Sequence, residues 1–164
     1  MATFSDLVVT ARGARYRGHR FACAVGRGGI GTKTGEGDGI TPAGVWSLMT
    51  PLVRPDRSPL QGRPIRPDMH WCDDIASARY NRLLRALRPD ISAERLHRPD
   101  PLYDIVVPLS YNTDPVIPGK GSAIFLHIWR KPRHPTEGCV AFAAATLTYI
   151  LSTWTMRSQV IIRP

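Results

Sequence analysis

Lysine is nearly absent: of 22 basic side chains, only Lys33, Lys120 and Lys131 are lysines. Arginine therefore carries most of the formal charge of +9, and it is scattered from Arg12 to Arg163 with no basic tail. Scattered arginine makes a solvated basic surface, whereas a nucleic-acid-binding module would interleave basic and aromatic residues in a recognisable motif. Long apolar runs are missing too. No segment approaches the ~18 residues that a membrane span requires, and "MATFSDLVVTARGARYRG" lacks the apolar stretch of ~7 to 15 residues found in export signals. These absences predict a cytoplasmic chain with no membrane span and no nucleic-acid partner; a chain whose leader had been removed would instead be periplasmic. Cysteine is limited to Cys23, Cys72 and Cys139, an odd number that excludes a closed disulfide set and predicts thiols.

Glycine and proline, by contrast, are abundant at 14 and 15 positions, so turns must occupy much of the chain. A length of 164 residues with 43% apolar content fits one domain, residues 1–164, with a real core. "FSDLVVTA", "YRGHRFACAV", "GVWSLM", "LYDIVVPL", "SAIFLHIW" and "QVIIRP" read as strands, by alternation or as short β-branched apolar runs. Tyr80, Leu83, Leu84 and Leu87 in "SARYNRLLRALR" have helical spacing ended by Pro89, and Ala143, Leu147, Ile150, Leu151 and Trp154 form a second helical face. Residues 51 to 70, rich in proline and without periodicity, read as a rigid loop. The prediction is a mainly β domain with a few helices, one of them beginning just after Cys139.

Two motifs suggest chemistry that their surroundings do not support. "GRGGIG" matches the dinucleotide fingerprint, yet "TKTGEGDGITPAG" after it is too broken to form the helix that would meet a pyrophosphate. It reads better as a hairpin loop with glycines at positive φ. His70, Cys72, Asp73, Asp74, His127, His134 and Cys139 are possible metal ligands, but none shows the spacing of a zinc knuckle or of HExxH. No metal and no cofactor is expected, and a zinc hydrolase stands as the remote alternative among enzymes.

The informative stretch is "GKGSAIFLHIWRKPRHPTEGCVAF". His127 ends an apolar strand, and a loop then allows the chain to bring Cys139 back beside the imidazole. At the start of a helix, the Cys139 thiol would gain thiolate character from the dipole and from unpaired N–H groups. A sulfur nucleophile, an imidazole base and backbone donors for an oxyanion are the elements of acyl transfer.

"HIWRKPRHPTEGCVAF", with the upstream "GDGITPAGVWSL", resembles the L,D-transpeptidase catalytic domain of the YkuD-like family, whose signature is a histidine followed by a loop and [S/T]-x-G-C. "WCDDIASARYN" and "LYDIVVPLSYN" are similar to a compact, often leaderless subgroup. The resemblance implies a β-sandwich or sheet domain with Cys139 as nucleophile and His127 as base, the latter oriented by the Ile128 carbonyl. It also implies an oxyanion hole from the N–H groups of Gly138 and Cys139, and places Thr136 at the hydroxyl position of the signature. Glu137 and Ala141 stand where the common pattern has histidine and arginine, so Arg130 or Arg133 is expected to take over the grip on a substrate carboxylate. His134 is expected to face solvent. Asp74 is expected to cap a helix, and Trp71 and Asp73 either to serve the fold or to line the donor groove and hold a substrate amine.

The activity so implied is attack by Cys139 on the L,D bond before the terminal D-alanine of a peptidoglycan tetrapeptide stem, through a thioester. Water as acceptor would make the protein an L,D-carboxypeptidase of recycled muropeptides, the expectation that fits a cytoplasmic chain. An amine acceptor would make it a cross-linking L,D-transpeptidase.

Overall fold

The computed structural model describes residues 2–86 and 88–164. In chain order the strands are β1 (Leu7–Thr10), β2 (Gly13–Tyr16), β3 (His19–Phe21), β4 (Ile30–Gly31), β5 (Thr41–Pro42), β6 (Gly44–Trp46), β7 (Leu52–Val53), β8 (Arg63–Pro64), β9 (Met69–Cys72), β10 (Leu83–Arg85) and β11 (Ala93–Arg95). A 3-10 turn, Pro101–Tyr103, leads into β12 (Ile105–Pro108), followed by β13 (Phe125–Ile128), β14 (Val140–Phe142), the helix α1 (Ala144–Ser152) and β15 (Val160–Ile162). Among the described residues no helix is long and apolar enough to cross a membrane.

Two five-stranded sheets, ordered β3-β2-β1-β15-β6 and β14-β13-β12-β7-β8, share a core. Leu7, Val9, Val160 and Ile162 of the first meet Val107, Leu126, Val140 and Phe142 of the second, with Leu147 and Ile150 of α1 packed on the same cluster. Side chains alternate across a strand, so every second residue of β12, β13 and β14 points the other way. There Val106 and Phe125 join Met69, Trp71, Tyr103 and Cys139 in a second cluster beneath the small sheet β10-β9-β11. The central sheet is thus covered on both faces, and the candidate site lies on the face turned from the sandwich.

Four expectations change. Residues 51–70, read as a rigid loop, carry β7 and β8, which extend the central sheet through pairing of β7 with β12, and the start of β9. The helical spacing around Leu83 and Leu84 is overridden: β10 pairs antiparallel with β9, Leu83↔Trp71 and Leu84↔His70. The cause is Asn81, 2% exposed and at φ 54, whose side chain accepts from Trp71 Nε1 and the Ala123 N–H and donates to the carbonyls of Tyr111 and Asn112. A helix could not satisfy those groups; Leu87, the last residue of the supposed face, lies outside the described residues. The second predicted strand splits into β2 and β3 at Arg17 and Gly18, both at positive φ. The glycine-rich segment is not a hairpin, because β4 and β5 at its ends run parallel, Ile30↔Thr41.

Candidate active site

β13 places the imidazole. Leu126 and Ile128 face the sandwich core, so Phe125 and His127 face the other side. β14 lies parallel to β13 in the register His127↔Ala141, which sets Cys139, just before β14, beside Phe125 and on the face of His127. The Phe125 N–H donates to Cys139 Sγ at 3.4 Å. Cys139 and His127 line one cavity of about 530 Å³.

Cys139 is not at the start of a helix, contrary to the sequence reading. A strand follows it directly and α1 begins only at Ala144. No helix dipole therefore favours thiolate. Burial pushes the thiol up to about 12, with Glu94 acting in the same direction, while the Phe125 N–H and the Lys33 ammonium pull against it. The S–H donates to the Ala123 carbonyl at 3.1 Å. His127 Nδ1 lies 2.8 Å from the Ile128 carbonyl. A carbonyl only accepts, so Nδ1 carries the proton and Nε2 keeps its lone pair. Burial pushes the imidazole down to about 4, against the backbone contacts of Ile128 and Leu102, which favour the protonated ring. At rest the pair is a thiol beside a neutral imidazole.

The turn before Cys139 is stapled by Thr136. Its hydroxyl donates to the Cys139 carbonyl at 2.6 Å and accepts from the Gly138 N–H at 3.1 Å. In the resting protein, then, the Gly138 N–H is not open to an oxyanion. Gly138 sits at φ +137, and a Cβ there would lie 2.9 Å from the Ile40 carbonyl, so the residue lets the glycine-rich loop come close. That loop is fixed by Lys33, whose ammonium meets Asp38 Oδ1 at 2.5 Å with side chains only 3% and 10% exposed. Burial alone would raise the Asp38 carboxyl, but Lys33 and the N–H groups of Ile40, Thr34 and Gly35 outweigh it and hold the group below the usual carboxylate range.

The opposite wall comes from β11 and the 3-10 turn. Tyr103 donates to Glu94 Oε1 at 2.5 Å, and its ring stands edge-on to His127 with centroids 5.3 Å apart. Arg98 packs over the Tyr103 ring at 5.3 Å while forking onto Asp100 at 2.9 and 2.7 Å.

Of the residues singled out by sequence, Thr136, Asp73, Arg130, His134 and Glu137 line the cavity with Cys139 and His127. His134, expected to face solvent, is half-buried and lines the cavity. Trp71 does not line the cavity: it is 5% exposed, packs edge-on against Phe125 and donates to Asn81, so it is a core residue. Arg133 points elsewhere, onto the Arg12 carbonyl at 3.4 Å. Asp74 caps a turn, not a helix, accepting from the Ala76 N–H at 2.9 Å. Among the described residues no three His, Cys, Asp or Glu side chains converge as a metal-binding group.

Lys33, Glu36, Glu94, Arg98, Tyr103 and Ser122 are further polar residues of the lining and were missed. None of them stands at a signature position of its own, and each reaches the site through sheet pairing or loop closure. No curated protein and no solved structure matches the chain. The sequence model of the L,D-transpeptidase catalytic domain matches residues 5–162. With that match over nearly its whole length, the chain belongs to the L,D-transpeptidase catalytic domain family, cysteine enzymes that act on peptidoglycan.

Proposed function

We propose that the protein is an L,D-carboxypeptidase: Cys139 attacks the carbonyl before the terminal D-alanine of a tetrapeptide stem, and water resolves the thioester. The observation that carries this reading is that Cys139 and His127 line one cavity, with the imidazole held by the Ile128 carbonyl. As Sγ bonds to the carbonyl carbon, its proton passes to His127 Nε2, and the imidazolium formed is favoured by the backbone of Ile128 and Leu102. The tetrahedral intermediate then breaks its C–N bond, and D-alanine leaves with that proton on its nitrogen. Water next loses a proton to His127 and attacks the thioester, expelling the sulfur, which is reprotonated. Because Gly138 N–H is held by Thr136, oxyanion stabilisation requires the Thr136 hydroxyl to release it, or rests on the Cys139 N–H.

The cavity of about 530 Å³ has room for the end of a stem, and water as acceptor is part of the proposal. The test is incubation with a disaccharide tetrapeptide and mass analysis of the products. Loss of one alanine, abolished by Cys139→Ala, is expected. A dimeric product would reassign the enzyme to cross-linking, and unchanged tetrapeptide would overturn the reading.

A further inference from the structure

Arginines scattered along the sequence are gathered by the fold. Arg12, Arg15, Arg20, Arg133 and Arg163, all exposed, surround a hollow of about 460 Å³ whose lining contains no Asp or Glu. Strand alternation places it on the outer face of the first sheet. Leu7, Val9 and Ile162 point into the sandwich, so Val8, Thr10 and Arg163 point out. Pairing of Val8 with Arg15, and of Arg15 with Arg20, carries that face across β2 and β3. Arg12 comes from the turn between β1 and β2, and Arg133 from the loop that also lends Arg130 and His134 to the catalytic cavity.

This charge has no internal counterpart. Among the described residues none of the five arginines takes part in an ion pair, whereas Arg54, Arg57 and Arg98 elsewhere each hold a carboxylate. Arg133 spends one N–H on the Arg12 carbonyl at 3.4 Å. An adjoining hollow, bordered by Arg15, Arg17 and Arg163, contains one carboxylate, Asp6, whose two oxygens accept from the N–H groups of Thr3 and Gln159. Like charges directly opposite on neighbouring strands are destabilising, yet the register sets Arg15 opposite Arg20. The arrangement is costly when the hollow is empty and becomes favourable when an anion enters it.

We propose that this hollow binds a compact anion carrying two adjacent phosphate groups. A guanidinium presents a planar fork of N–H donors that matches phosphate oxygens and keeps its charge at any physiological pH. One phosphate group brings about 1.5 to 2 negative charges, so five guanidinium groups suit two phosphates better than one. The volume has room for a small ligand, and the small side chains of Gly13 and Ala22 leave space between the long arginines. Through Arg133 the occupant touches the loop that borders the catalytic cavity.

The experiment titrates inorganic pyrophosphate, by calorimetry at low salt, into the wild type, Arg15→Ala, Arg20→Ala and Arg157→Ala, the last an exposed arginine outside the hollow. The wild type is expected to bind one pyrophosphate per chain, about tenfold or more tightly than orthophosphate. Arg15→Ala and Arg20→Ala should each weaken binding about tenfold, and Arg157→Ala should leave it unchanged. Urea midpoints of the first two variants should not fall, since each removes a like-charge contact across the strands; lost binding is then not lost folding. Displacement of pyrophosphate by ADP would extend the site to diphosphates borne on an organic group, and failure of ADP to displace it would confine the site to the inorganic ion. Absence of saturable pyrophosphate binding, or equal weakening by Arg157→Ala, would overturn the proposal. Binding confined to vesicles containing phosphatidylglycerol, or to a DNA duplex, with none of pyrophosphate, would overturn it too and reassign the face to a membrane or a polymer.

Discussion

Cys139 is held as a thiol by its burial, and that sets its reactivity. With the group pushed up to about 12, its thiolate fraction is small at neutral pH and grows tenfold with each pH unit. Iodoacetamide should therefore label Cys139 in the free protein slowly at pH 7 and progressively faster through pH 9, without reaching a plateau; peptide mapping by mass spectrometry reads the rate. A fast, flat profile from pH 6 upward would contradict the resting pair described above. Thr136 gives a second expectation. Thr136→Val removes two hydrogen bonds of the turn and should cost roughly 1 to 2 kcal/mol of stability with a large loss of turnover, whereas Thr136→Ser should retain both. Cys139, His127 and Thr136 could be picked out from a local string of residues and its resemblance to a family. Glu94, Tyr103 and Ser122 could not, since none occupies a signature position, although Tyr103 and Ser122 lie within the stretches that carry the resemblance, and only the fold brings them to the cavity of Cys139.

At the scale of elements, the short apolar runs at 7–10, 105–108, 125–128 and 160–162 were legible as strands because β-branched residues and flanking turns act locally. The same local logic failed at 83–85, where the 3.6-residue spacing of leucines lost to a tertiary demand. Asn81 is that demand, and Asn81→Ala is expected to strand Trp71 Nε1, the Ala123 N–H and two loop carbonyls. A destabilisation of roughly 2 to 4 kcal/mol follows, read as a lower urea midpoint. A neutral substitution there would mean that the hub does not hold β10 in the sheet. The start of α1 was misplaced for a related reason. The apolar residues after Cys139 suit a helix face and a buried strand equally, and pairing of Val140–Phe142 with β13 decides for the strand.

Across the whole molecule, the buried imidazole couples the site to acid stability. His127 titrates near 6.5 when unfolded and near 4 when folded, so between those values the unfolded chain takes up a proton that the folded one refuses. Its contribution is fully present above about pH 6.5 and is lost as the pH falls through 4, on the order of 3 kcal/mol. Urea titrations from pH 7 to 4 should show that slope in the wild type and a shallower one in His127→Gln. Equal slopes would place the acid sensitivity in other groups.

The thiol's seat between the Ala123 carbonyl and the Phe125 N–H has a practical corollary for anyone handling or targeting this protein. A sulfur that is neutral and nearly covered is a poor substrate for peroxide and for small electrophiles, so the purified protein should tolerate air without added reductant. Any covalent inhibitor would first have to imitate a peptide well enough to prise the S–H from its carbonyl.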